Sequence, residues 1–197
     1  MEAPKHTEES ITTILRNHFN QGYTYRLNNI FLYGNDWESD YFCVNDEGYA
    51  FEFEIKISRA DFKHDSRKYK HLLFKTPDKT GLLMPNKFYY VVPEDMVVAE
   101  DIPNYAGLIY IAGKHLKIIR RAPFIHKTKH DYRKHIASKV YERYQIQRRQ
   151  LALLRIENAE LKKLFRKITK YLPVDKQRLV NENFYLEEVS VQKTFRL

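Results

Sequence analysis

Apolar positions at Ile11, Ile14, Leu15 and Phe19 follow the spacing of one helical face, so the run ITTILRNHF after Ser10 predicts an amphipathic helix closed at Gly22. Glu8 and Glu9 stand around its start. The pattern then changes to short aromatic-rich runs, NNIFLY, DYFCV and YAFEFEIKI, the last two joined by Asn45-Asp46-Glu47-Gly48, a composition that suits a tight hairpin. In YAFEFEIKIS the period is two. Phe51, Phe53, Ile55 and Ile57 fall on one face, and Glu52, Glu54, Lys56 and Ser58 on the other.

From Ser58 the pattern becomes polar and helical. Ser58 or Asp61 can cap a helix through about Phe74, and Pro77 to Gly81 break it. KFYYVV and GLIYIA follow as strands, and HLKIIR after Gly113 forms a second hairpin. The order helix, three strands, helix, strands predicts an α/β domain over residues 1–123 with the two apolar later strands buried in its sheet. Neither Gly nor Pro occurs between Pro123 and Pro173, which predicts a helix of about 40 residues, roughly 60 Å long, within residues 124–172. Residues 173–197 form a C-terminal tail to which the pattern assigns no role.

Within the long helix, Tyr144, Leu151, Asn158 and Phe165 recur every seven residues, with Gln147, Leu154, Leu161 and Ile168 three further on. This seam fits either a homodimer through the 130–170 helix or packing back onto the domain. Asn158 would be a lone polar core residue, able to pair with its own copy and fix register in a parallel dimer.

Charge sharpens the division between the two parts. Between Lys127 and Lys170 there are 14 Lys and Arg against 4 Asp and Glu, a surplus exceeding the +9 of the whole chain. Concentrating the basic excess in one segment points to a polyanion, nucleic acid first. Arg148 and Arg149 are candidate phosphate contacts there, and Tyr132, Tyr141 and Tyr144 either stack on bases or pack the helix. His126, His130 and His135 lie among lysines and read as part of a phosphate-binding surface rather than as metal ligands.

No apolar run approaches the roughly 18 residues of a membrane span. A single cysteine, Cys43, excludes an internal disulfide and a cysteine-built metal site, and MEAPKHTEES lacks the apolar core of a secretory signal, so the expected compartment is the cytoplasm, with no membrane partner.

The candidate chemistry lies in the third strand. Hydrolysing a phosphodiester requires neutralising charge on the phosphorus oxygens and activating water, which carboxylates holding a divalent cation provide. Glu54 and Lys56, two apart, project from one face with Ile55 anchored in the core between them. Its carbonyl is a further candidate metal ligand. Asp40, across the predicted hairpin, offers a second carboxylate, and Glu8 or Glu9 a third from the first helix. Such hard oxygen donors favour Mg²⁺ or Mn²⁺.

Asp40 followed by Glu54-Ile55-Lys56 on a strand after a meander resembles the PD-(D/E)XK nuclease superfamily, with Ser39 where that pattern has proline. The stretch EIKISRADFKHDSRKYKHLL, then KFYYVVP and AGLIYI, looks like its MmcB-like DNA repair branch, over residues 8 to 120. The resemblance implies a restriction-endonuclease-like αβββαβ core with a mixed central sheet. It also implies a metal-dependent deoxyribonuclease acting in repair or defence, with Asp40, Glu54 and Lys56 catalytic and Asp40, Glu54, Ile55 and Glu9 holding Mg²⁺ or Mn²⁺. Asp61, Asp65, Lys68 and Lys70 would lie on the helix after the motif; read from the residues themselves, Lys68 and Lys70 are candidate DNA phosphate contacts or part of a solvated helix face.

Each feature also has a structural reading. Glu54 and Lys56 fit the polar side of a half-exposed sheet, and Glu8 and Glu9 fit a helix N-terminus, where the dipole favours acids by roughly 0.3–1 kcal/mol. Two other functions are therefore set beside the nuclease: a catalytically inactive nuclease-fold module that binds DNA, and a dimeric adaptor built on the long helix.

Overall fold

A computed structural model describes residues 6–33, 37–77, 83–174 and 176. It is a mixed α/β structure with a six-stranded sheet and a long helix near the C-terminus. The chain divides into two compact units, Met1–Val140 and Tyr141–Leu197.

Helix α1 spans Glu8–His18. It begins two residues before the Ser10 start that hydrophobic spacing suggests, because Thr7 caps it. The Thr7 hydroxyl accepts from the Ser10 N–H at 3.2 Å, and the Ser10 hydroxyl accepts from the Thr7 N–H at 3.0 Å. Glu8 and Glu9 thus occupy its first turn, and Ile11 and Leu15 are buried.

The strands are β1 (Tyr23–Ile30), β2 (Ser39–Asn45), β3 (Ala50–Ile55), β4 (Lys87–Pro93), β5 (Ala106–Ala112) and β6 (His115–Arg120), adjacent in sequence order. β1–β2, β2–β3 and β5–β6 pair antiparallel, whereas β3–β4 and β4–β5 pair parallel. The β2–β3 hairpin turns at Gly48, whose φ of 85° suits glycine. β4 and β5 are buried as expected of apolar strands.

β1 starts at Tyr23, not at the expected NNIFLY. Its register shifts between Thr24 and Leu27, and Tyr25 and Asn29 take left-handed φ values of 49° and 51°. The bulge disrupts the alternation that would have marked the strand.

In place of one helix from Ser58 to Phe74 there are two, α2 (Arg59–Asp65), capped by Ser58, and α3 (Lys70–Lys75). In an unbroken helix Lys68 and Lys70 would project about 200° apart. The intervening turn lets both reach carboxylates of β3 or beside it. The break expected at Pro77 to Gly81 falls largely outside the described residues.

One face of the sheet packs Tyr41, Phe53, Ile55, Val91 and Ile109 against Ile11 and Leu15 of α1 and against Phe19 just after it. The other packs Phe88, Tyr90, Val92 and Leu108 with Leu73 and Phe74 of α3 and with Trp37. β3 is therefore covered on both sides and is not half-exposed.

Helix α4 runs Arg133–Thr169, 37 residues. Tyr132 and Ile136 at its start pack with Phe42, Val44 and Ala50, so the first unit continues past Pro123. The connecting segment is fastened by buried Asn86. Its side chain accepts from the Ala50 N–H at 2.8 Å and donates to the carbonyls of His126 and Thr128, while its own carbonyl accepts from the Ile125 N–H. Among the described residues no helix is long and apolar enough to cross a membrane. The tail assigned to 173–197 lies almost wholly outside the described residues.

Candidate functional site

The two faces of β3 carry different chemistry. On the α3 side, Glu52, Glu54 and Lys56 are all buried. Lys56 Nζ lies 2.8 Å from Glu54 Oε1, and Lys68 Nζ lies 2.5 Å from the same oxygen. Lys70 Nζ pairs with Glu54 Oε2 and lies 3.0 Å from Glu52 Oε1. Glu52 also accepts from the Trp37 indole N–H at 2.9 Å. Lys68 reaches Asp65 Oδ1 at 2.7 Å.

Three buried carboxylates, Glu52, Glu54 and Asp65, thus meet the ammoniums of Lys56, Lys68 and Lys70, three charges of each sign, with the half-exposed Asp61 carboxylate 3.7 Å from Lys56 at the edge. Balance matters because an isolated charge at this depth costs several kcal/mol. Burial alone would lower the pKa of Lys56 and Lys70, but the adjoining carboxylates outweigh it and hold both above the ordinary lysine range. Burial raises Glu52. For Asp65 burial is outweighed by hydrogen bonds, that of His71 foremost, which hold it well below the usual carboxylate range.

The network continues outward. His71 Nε2 lies 2.8 Å from Asp65 Oδ2, which also accepts from the Tyr90 hydroxyl at 2.8 Å, and His71 Nδ1 lies 2.9 Å from the Tyr105 hydroxyl. Burial, then the negative charge of Asp65, pushes Tyr105 up to about 12.

At the end of β3, Asp40 Oδ2 accepts from the Ile55 N–H at 2.7 Å. Asp40 and Ile55 line a cavity of about 400 Å³ with Glu8, Glu9, Thr12, Thr13 and Arg16 of α1 and with Asn28 and Asn29 of β1. The Arg16 guanidinium donates to Asn28 Oδ1 at 3.1 Å. Burial, then the charge of Glu54, raises the Asp40 carboxyl to about 7.

The expected ligands have different surroundings. Glu9, Asp40 and Ile55 share the cavity, whereas Glu54 and Lys56 are held in the ion network on the α3 side. Among the described residues no three His, Cys, Asp or Glu side chains converge as a metal-binding group. Lys70, expected at DNA phosphate, is 4% exposed with its ammonium held by Glu52 and Glu54, so it is not presented to a ligand. Lys68 has a half-exposed side chain, but its ammonium is engaged by Glu54 and Asp65. Arg148 and Arg149 are exposed. Tyr132 takes the packing role, its hydroxyl donating to the Met84 carbonyl at 2.8 Å, while Tyr141 and Tyr144 are exposed. Cys43 packs in the core as expected.

Trp37, Glu52, His71, Tyr90 and Tyr105 were not singled out by sequence reasoning. Glu52 had a usable signal, since it shares the polar face of β3 with Glu54 and Lys56.

No protein-family model matches the chain, and no curated protein does. Among solved structures it is similar to a protein of unknown function from Silicibacter pomeroyi, at 19% identity and a TM-score of 0.48, over 79% of this chain and 92% of that one.

Proposed function

We propose that the protein is a metal-dependent nuclease of the PD-(D/E)XK kind that hydrolyses DNA phosphodiester bonds, with the cavity at Asp40 as its reaction site. The observation that carries this reading is that Glu8 and Glu9 from α1, Asp40 from β2 and Ile55 from β3 line one cavity, beside the Glu54-Lys56 pair. The donors fit a hard cation such as Mg²⁺ or Mn²⁺, because Mg²⁺ is commonly held by one or two carboxylates and otherwise by water and substrate phosphate. The raised pKa of Asp40 fits as well: its charge is under-compensated by the protein alone.

A bound divalent cation supplies neutralisation of the phosphoryl oxygens and a more acidic water. Asp40, oriented by the Ile55 N–H, and Glu9 or Glu8 hold the cation on this reading. Arg16, on the cavity wall, presents a guanidinium to substrate phosphate. Lys56 fixes the charge state and orientation of Glu54, and Lys68 is the ammonium of the network with a solvent-exposed stem. The basic segment of α4, Arg148 and Arg149 included, supplies contacts to the DNA backbone.

A second reading, an inactive DNA-binding module, is favoured by one observation: both carboxylate oxygens of Glu54 are taken by lysines. Cleavage of plasmid and single-stranded DNA with Mg²⁺ or Mn²⁺ separates the two. Cutting by wild type that is lost in Asp40→Asn, with DNA binding retained, is expected of the nuclease. Cutting by Asp40→Asn and Glu54→Gln at the wild-type rate would remove the site assignment. Wild-type protein that binds DNA in a salt-sensitive way and never cuts it would establish the second reading.

A further inference from the structure

We propose that residues 144–168 of α4 pair with the same segment of a second copy of this chain as a parallel, two-stranded coiled coil in register at Asn158. This interface stands independently of the nuclease reading. Tyr144, Leu151, Leu154, Leu161 and Ile168, each more than half exposed, lie on a seam completed by Gln147, Asn158 and Phe165, whose positions alternate in steps of three and four residues. A row of large apolar side chains on a helix this basic is a surface left for a partner. A 3.5-residue spacing aligns such a row along a left-handed supercoil.

Charge and the polar core position identify the partner as another copy, and its direction as parallel. Arg148, Arg155 and Lys162 form one flank of the seam, and Arg143, Gln150, Glu157 and Leu164 the other. In an antiparallel pair like flanks face each other, which would set the three basic residues of one helix along the three of the second. In the parallel pair opposite flanks meet, and Glu157 faces Lys162 of the second copy, twice by symmetry. Asn158, exposed on the single helix, then meets its own copy and forms a side-chain amide pair. A shift of one heptad would bury each Asn158 against leucine or phenylalanine without a partner. Arg143 facing Arg148 of the second copy is a like-charge pair, so the contact is tightest from Leu151 onward and the N-terminal end is left strongly basic.

Sedimentation equilibrium of the full chain over a wide concentration range tests this directly. Twice the 23.8 kDa chain mass is expected, and Leu154→Glu with Leu161→Glu should halve it. A mass of one chain at every concentration would overturn the proposal, whether the seam is covered by the chain itself or by another protein, and a mass above two chains would overturn the two-stranded form. Persistence of the dimer in the double variant would place the contact elsewhere. Direction is read from Asn158→Cys under mild oxidation, the native Cys43 being buried. An intermolecular disulfide is expected of the parallel register, and a dimeric variant that fails to cross-link would overturn it.

Discussion

The Asp40 carboxylate accepts a hydrogen bond from the main-chain N–H of Ile55 at 2.7 Å, which ties the start of β2 to the last residue of β3. That bond fixes one carboxylate oxygen, and burial with the nearby charge of Glu54 raises the Asp40 pKa from 3.8 to about 7. Since folding raises this pKa, ionisation of Asp40 opposes folding. The opposition is absent below the unfolded value, grows between the two values, and is constant above the folded one. Urea denaturation across that window should therefore show wild type losing stability relative to Asp40→Asn as pH rises. Parallel curves for the two proteins would mean that Asp40 titrates normally.

Removing the Glu54 carboxylate leaves Lys56 and Lys70 buried with their positive charge under-compensated. Glu54→Ala is expected to destabilise the fold by about 3–5 kcal/mol in chemical denaturation. Glu54→Gln keeps the shape and one acceptor and should cost less. Lost activity in the alanine variant therefore means little without its unfolding curve, and equal stability of both variants would show that the ion network does not hold β3 to α3.

Asp65 has the opposite sign to Asp40. Its folded pKa is depressed, so its contribution to stability is present in full above the unfolded value of 3.8 and is lost as pH falls through the folded one. Acid unfolding monitored by tryptophan fluorescence should begin at a higher pH in His71→Leu, which removes a ring nitrogen 2.8 Å from Asp65 Oδ2. An unmoved acid midpoint would count against that hydrogen bond as the source of the depression.

Phosphate contacts are expected on α4 and not on α3. Replacing Arg148 and Arg149 by alanine should lower the slope of log affinity against log salt by about 0.9 per contact for duplex DNA. Lys70→Met should instead lower stability and leave the slope unchanged, because its ammonium is already held by Glu52 and Glu54.

Much of the strand order was legible in residue pattern, and the environment of the third strand was not. YAFEFEIKI shows its two faces by alternation alone, and the Asn45–Gly48 turn marks its hairpin. Whether the face bearing Glu52, Glu54 and Lys56 meets water depends on a helix contributed by residues 70–75, and alternating polarity reads the same for a wetted face as for a buried, charge-balanced one. The lysines of the next segment carried the missing information, since their function here is to neutralise β3. β1 was obscured for a local reason: left-handed backbone at Tyr25 and Asn29 breaks the period from which a strand is recognised. Asp40, Glu9 and Ile55 do share a cavity, but no spacing rule showed that both oxygens of Glu54 would be paired with lysines.

Asn86 gives the segment after β6 a mechanical character that its irregular backbone conceals. Residues 125–128 have no ladder of their own, yet they are moored through one amide side chain and one peptide group to Ala50 at the head of β3. Tension entering the chain at the start of α4 is therefore borne by the middle of the sheet and not by a yielding linker. The Ile125 amide, which is in coil, should exchange with solvent as slowly as those of the strands beside it.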